Sequence, residues 1–430
     1  MIVVFSKHST SRLQYVLSEL LERRMGIPYT IVTQLTDFQS DTARVKINYT
    51  AEPVAGSVHI KPHGLLSETG IRDLSVEVNR HDEWNMVFWT NTSEEVPFDV
   101  FAATFYLLSR YEEYVNPIRD EHGRFEAKHS LAFQHHFLRV PVIEVWAAQL
   151  KKIFLGIDPG LIFTKHTYTR LSTIDVDFAF KYKGVGIKRW TGKLFRSLLS
   201  LKLADAADQL LVSTGLKRDP YDTFDQIHKT TNSGLAYFML MNASGGHDKA
   251  TNFKCLTSIA GMLKEHANFI GIHPSYQSNT EHQVLNEEIS ALKSLTGSPV
   301  KHSRNHFLKL ALPQTYQRVI AAGIECDYTM MYADAPGFRA GTCFPFFFYD
   351  LSREQTTALT VYSTCAMDVT LKDYIRVSPN EAIRILNDME TIARKYQGLF
   401  ITLWHNSSFI QQEGWREWNR VYTSIFNTKQ

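Results

Sequence analysis

The sequence predicts an α/β protein in two parts: a β/α sheet or barrel in the C-terminal portion, preceded by a smaller α/β region. Three observations carry this. A chain of 430 residues exceeds the roughly 250–300 over which one hydrophobic core grows, so two domains are expected, divided as 1–163 and 164–430. Beyond residue 163, short apolar runs alternate with well-punctuated helices. Polar residues collect just after those runs, where parallel strands present one common face.

In the first part, strands are predicted at 2–5, 29–32, 45–49, 58–61 and 86–89. Helices follow at 98–114, with Phe101, Phe105, Leu108, Tyr111 and Tyr114 along one stripe, and at 140–154. Nothing here has ligand spacing, which suits a packing domain. In the second part, strands are predicted at 168–174, 236–240, 269–272, 300–303, 324–328, 359–362 and 400–404. Between 378 and 397 the helix signals are explicit: Ser378 can cap, Pro379 suits the first turn, Glu381 completes a capping box and Gly398 follows the end. Pro313 and Gly323 bracket another helix.

Composition narrows the class. Hydrophobic residues make up 44%, charged residues 21%, and the net charge is +2, as in an ordinary globular enzyme, so no nucleic-acid partner is expected. Cys255, Cys326, Cys343 and Cys365 lack CxxC spacing, which fits a reducing compartment. The N-terminus lacks the pattern of a signal peptide, and no run of ~18 uncharged apolar residues could span a bilayer, so a cytoplasmic location is expected.

The polar residues at the strand ends are Asp175 and Asp177, then His273, Arg304 and His306, Asp327, and finally His405. A strand aims Asp175 and Asp177 to the same side, so one carboxylate can hold a divalent metal while the other accepts a proton from water. A solvated turn with a capping aspartate is the plainer alternative. His273 ends an apolar run before Pro274 and is a candidate metal ligand, although a lone histidine is more often simply hydrogen-bonded. His405 closes the run 399–404, and its near-neutral pKa suits a general acid.

In order and type this series resembles the polysaccharide deacetylase family, carbohydrate esterase family four, over about 168–430. The resemblance implies a distorted (β/α) barrel, with Asp175 as catalytic base, Asp177 and His273 as metal ligands, Arg304 steadying the base and His405 as catalytic acid. It further implies a divalent cofactor, zinc, and an N-acetylated carbohydrate substrate. One position departs from the pattern: the family's second ligand histidine falls on Gln277, which leaves His306 as the expected replacement, with Ser278 or solvent behind it. The stretches 99–114 and 327–345 resemble a divergent branch that carries an extra N-terminal domain of unknown function. The second stretch reads as a loop over the site, and its Arg339 competes with Arg304 for Asp175. Tyr276, Tyr332 and Phe338 are candidates to stack on sugar rings, or to pack in the core.

Two rivals are compatible with the same residues. A DxD glycosyltransferase explains the aspartates and leaves the histidines idle; a carbohydrate-binding relative without metal follows from Gln277. Finally, residues 178–204 hold seven basic side chains and no acidic one, with Trp190, Leu194, Phe195, Leu198 and Leu201 at helical spacing. The expected arrangement packs that apolar face inward, and peripheral membrane contact through 181–202 is the alternative.

Overall fold

The computed structural model describes residues 1–81, 84–90, 95–241, 248, 253–411 and 414–427. Four short N-terminal strands, β1 (Ile2–Phe5), β2 (Tyr29–Val32), β3 (Lys46–Asn48) and β4 (Val58–His59), pair in parallel in the order β2-β1-β3-β4. A hairpin of β5 (Val78–His81) and β6 (Trp84–Val87) stands apart from them. The predicted helix at 98–114 is two helices, Val100–Leu108 and Tyr111–Val115, broken where Arg110 takes a left-handed φ of 56°. A distant partner accounts for the break. From this turn the buried Arg110 guanidinium donates to Glu112 (2.7 Å), Glu113 (2.8 Å) and the Tyr332 hydroxyl (2.7 Å).

The C-terminal part is a nine-stranded sheet of β7 (Thr169–Val176), β8 (Gly234–Met239), β9 (Phe269–Ile272), β10 (His302–Ser303), β11 (Cys326–Asp327), β12 (Phe346–Asp350), β13 (Gln355–Val361), β14 (Ala366–Met367) and β15 (Leu399–His405). Its order is β12-β13-β11-β10-β9-β8-β7-β15-β14. Every pairing is parallel except that of β12 with β13. The central strands are near-continuous apolar runs, as expected of parallel strands covered on both faces. The helix Pro379–Lys395 begins as predicted, with the Ser378 side chain accepting from Glu381 N.

Where the resemblance implied a distorted (β/α) barrel, the ladder is linear, with β12 and β14 at its edges. The sheet nonetheless curls hard. In a flat sheet, β10 and β7 would lie about 14 Å apart. Here Arg304, just after β10, reaches Thr173 on β7 at 2.6 Å. The short segment between β13 and β14 joins the two ends of the curl: Tyr362 N donates to Asp327 O, and Cys365 N to Ile401 O of β15.

Inside the curl lies a small aromatic core of Phe238, Tyr328 and Ile401, distinct from the outer core. The outer core runs from Ile2 to Phe426 across both parts of the chain. Buried polar contacts cross the same junction: Arg339 pairs with Glu113 at 2.6 Å, and Thr342 Oγ1 accepts from Arg24 (3.1 Å) and donates to Glu144 (2.6 Å). The stretch 327–345 is therefore packed against the first part of the chain instead of forming an open loop.

Gly271 shows how tight the inner core is. A Cβ there would sit 2.7 Å from the Phe238 ring and 2.8 Å from the His302 carbonyl. Gly271→Ala is expected to lower stability by about 1–3 kcal/mol through overpacking. Urea unfolding reads this as a lower midpoint at constant slope, and an unchanged midpoint would contradict the packing described.

Candidate metal centre

Side chains alternate along β7. Arg170, Ser172 and Ile174 point to the outer core, where Ser172 Oγ meets Tyr422 OH at 2.8 Å. Leu171, Thr173 and Asp175 point into the curl, and Asp177 continues that row just beyond the strand. β9 delivers His273 to the same end, the turn after β10 delivers Arg304 and His306, and β15 delivers His405. The strand-end residues expected to converge do so, apart from Asp327. That carboxylate is buried elsewhere, accepting from Ser303 Oγ (2.7 Å) and Thr329 N (2.8 Å).

The two aspartates differ in their surroundings. Asp175 is buried, and its Oδ1 accepts from Arg304 Nη1 at 3.0 Å. Arg304 is the fully buried partner, whereas Arg339 is committed to Glu113, so the competition between the two arginines resolves in favour of Arg304. Asp177 faces three imidazoles: His273 Nε2 lies 3.3 Å from Oδ1, while His306 Nε2 and His405 Nε2 lie 3.6 and 3.9 Å from Oδ2. Its Oδ1 is buried and has no hydrogen-bond partner among the described residues.

Each imidazole is held by its other nitrogen. His273 Nδ1 lies 2.6 Å from the Arg304 carbonyl, which can only accept, so Nδ1 carries the proton and the Nε2 lone pair faces Asp177. His306 Nδ1 lies 2.7 Å from Asp248 Oδ1, and His405 Nδ1 lies 2.9 Å from Asp368 Oδ1. Fixing the outer nitrogen with a carbonyl or carboxylate is the usual way a protein orients a metal-ligating histidine. One ligand atom from each of Asp177, His273 and His306 falls within 4.8 Å of the others, so the trio could hold a metal ion. The donor set fits a divalent cation, and the unpartnered Asp177 oxygen fits it further.

Gln277, in the place of the second ligand histidine, turns away to donate to Glu281 at 2.9 Å, and Ser278 Oγ donates to the Ser275 carbonyl. Tyr332 and Phe338 are buried in the core and are not free to stack on a sugar. Tyr276 is half-buried beneath Lys309, whose Nζ lies 3.9 Å from the ring centroid.

A cavity of about 210 Å³ opens on Asp175, Asp177, His273, His306 and His405, lined also by Leu308, Met367, Val369 and Leu403. Its rim includes Arg124, from the N-terminal part, which donates to the Phe307 carbonyl (3.0 Å) and the Tyr374 hydroxyl (3.1 Å). Sequence reasoning missed Arg124, Tyr374, Asp248 and Asp368. Asp248 lies nine residues beyond the end of β8, and β14, which Asp368 follows, is too short to read as a strand from the sequence, so the strand-end rule reaches neither.

Residues 2–159 match the model of DUF7033, a family of unknown function. The matched residues end just before the sheet that carries the site, and they include Arg124 at the cavity rim. No curated protein matches the chain. Among solved structures, a protein assigned as a polysaccharide deacetylase from Mycobacterium smegmatis aligns with 62% of this chain and 87% of its own, at 14% identity and a TM-score of 0.35. Puue allantoinase aligns over 59% of this chain and 82% of its own, at 12% identity and a TM-score of 0.37. Agd3, described as a novel carbohydrate deacetylase, aligns over 99% and 84%, at 9% identity and a TM-score of 0.37. Similarity at this level assigns no residue its role.

Burial works against a charged imidazole at His306, yet Asp177 and Asp248 outweigh it and push its pKa up to about 9. Burial likewise opposes the charge on His405, and Asp368 followed by Asp177 and Asp175 raises it to about 10. Asp177 is held well below the carboxylate range: burial opposes this, and the facing imidazoles, His306 first, overcome it. A ligand imidazole must be neutral, so metal binding at a pH below about 9 displaces the proton on His306. Zinc affinity is therefore expected to rise about tenfold per pH unit up to about 9 and then level off. Competition titrations against a chelator from pH 6 to 9.5 measure this, and an affinity flat across that range would remove His306 from the ligand set.

Proposed function

We propose that the chain is a divalent-metal-dependent hydrolase that removes N-acetyl groups from an amino-sugar-containing glycan or glycan precursor, with zinc as the metal. One observation carries the reading. A carboxylate and two pre-oriented imidazoles converge at Asp177, His273 and His306, flanked by a second carboxylate, Asp175, and by a carboxylate-paired imidazole, His405.

A cation held by the trio would supply Lewis acidity for water and for an amide carbonyl. The chain's own groups account for the proton transfers. Arg304 fixes Oδ1 of Asp175, while Oδ2 lies 3.7 Å from His273 Nε2 at the cavity edge, where it can accept a proton from the attacking water. His405, with its pKa raised to about 10, carries a proton at neutral pH and can release it to the departing amine, while Asp368 holds the ring in place. Leu308, Met367, Val369 and Leu403 give the cavity an apolar wall suited to an acetyl methyl group. We read the curled sheet as the distorted barrel of such deacetylases, with 1–163 as a domain that closes one side of the cavity. A DxD glycosyltransferase would leave the three oriented imidazoles without a task.

Acetate release from an N-acetylglucosamine oligomer in the presence of zinc tests the proposal. Asp175→Asn is expected to lower kcat by about 10²–10⁴-fold with zinc still bound, and His405→Gln to lower it by a similar factor. Full activity in Asp175→Asn would refute the base assignment, and absence of acetate release by the wild type from every N-acetylated oligosaccharide tried would refute the reaction.

A further inference from the structure

The basic stretch after β7 does not pack as its sequence pattern suggested. The helix Ile187–Leu199 buries none of its residues. Ile187 is 82% exposed, Phe195 65% and Leu199 70%, and Leu201 and Leu203 beyond it are 83% and 64% exposed. At 3.6 residues per turn, Ile187, Leu194, Phe195, Leu198 and Leu199 share one half of the helix circumference. Arg189, Lys193 and Arg196 occupy the other half, while Lys188 lies on the apolar side between Phe195 and Leu199.

What holds the helix in place is a polar seam. Trp190 Nε1 donates to Ser213 Oγ at 2.9 Å, and Gln209 Nε2 donates to the Trp190 carbonyl at 2.7 Å, joining it to the helix Leu203–Ser213. That second helix adds exposed Leu210 and Leu211 to the apolar surface, and Leu216 follows at 78% exposure. The base of this two-helix arm is clamped by Asp219, whose carboxylate accepts from the backbone N–H groups of Lys181, Tyr182 and Lys183 at 2.7–3.0 Å. Asn406, the residue after His405, donates to the carbonyls of Phe178 and Tyr221 at either foot of the arm. The arm thus springs from the same end of the sheet as the metal-site residues.

We propose that this arm is a membrane-surface anchor whose apolar face lies in the headgroup region of an anionic bilayer. Charge complementarity selects that occupant. Seven basic side chains and no acidic one fall between 178 and 204, in a chain whose total net charge is only +2. Exposed Leu and Phe bordered by Lys and Arg are the makeup of a helix lying in the interface plane. No helix among the described residues is long and apolar enough to cross a membrane, so the contact is peripheral. On the functional reading above, the anchor would hold the cavity close to a glycan carried on a lipid; the membrane contact itself stands without that reading.

Co-sedimentation with vesicles tests it directly. The full chain is expected to bind vesicles of mixed phosphatidylglycerol and phosphatidylcholine, and to bind pure phosphatidylcholine about tenfold or more weakly, with the difference shrinking at high salt. Phe195→Glu with Leu199→Glu should abolish binding, while zinc content and acetate release from a soluble oligomer stay unchanged. Lack of binding to the anionic vesicles, or equal binding by the double variant, overturns the proposal. So does a concentration-dependent dimer that the same double variant dissolves, since a second copy of the chain would then cover the face. Loss of acetate release with vesicle binding intact would count against the catalytic reading and leave the anchor standing.

Discussion

The site and the curl of the sheet both depend on the buried Arg304 guanidinium. A fully buried cation is tolerable only when its charge and its donors are met. Arg304 donates to Thr173 Oγ1 and Asp175 Oδ1 on β7, to the Tyr328 carbonyl after β11, and to Thr364 Oγ1 between β13 and β14. The Phe238 ring lies against it, with the centroid 4.6 Å from the guanidinium carbon. One side chain therefore draws together segments that a flat sheet would hold apart, and it sets Asp175 in a single orientation. Its own carbonyl fixes the tautomer of His273, so the candidate base and one candidate ligand are positioned by the same residue.

Around that anchor the chemistry divides by environment. Asp175 accepts from the Arg304 guanidinium and lies 3.7 Å from one imidazole, while Asp177 faces three imidazoles. On the proposed mechanism, two carboxylates separated by one residue would take different tasks because their surroundings differ. The N-terminal part is included in this arrangement, because Arg124 reaches the cavity rim and the Glu113–Arg339 pair fixes the segment behind the wall that Leu308, Met367 and Leu403 form with Met331.

Much of the site was legible in the sequence because parallel strands deliver their carboxyl ends to one face. Asp175, Asp177, His273, Arg304, His306 and His405 could all be placed by that rule alone. Their supporting partners could not. Asp248 and Asp368 act through contacts 58 and 37 residues away, and no local pattern records which histidine each will meet. The break at Arg110 escaped for the same reason, since the residues that satisfy it include Tyr332, 222 positions along the chain. For the helix Ile187–Leu199, periodicity marked Leu194, Phe195 and Leu198 but also Trp190, which turns to Ser213, and Leu201, which lies beyond the helix, and it could not say what would cover the face. An inward-packed helix and an interfacial one share the same pattern.

The proposed chemistry depends on Asp177, His273 and His306 forming one metal site. Metal analysis of protein purified without chelators, combined with X-ray absorption at the zinc edge, addresses this most directly. The expected result is one zinc per chain with a shell of two imidazole nitrogens and carboxylate or solvent oxygens, lost in both Asp177→Asn and His306→Ala. Zinc retained at full occupancy in those variants, or a wild-type protein that takes up no metal, would contradict it.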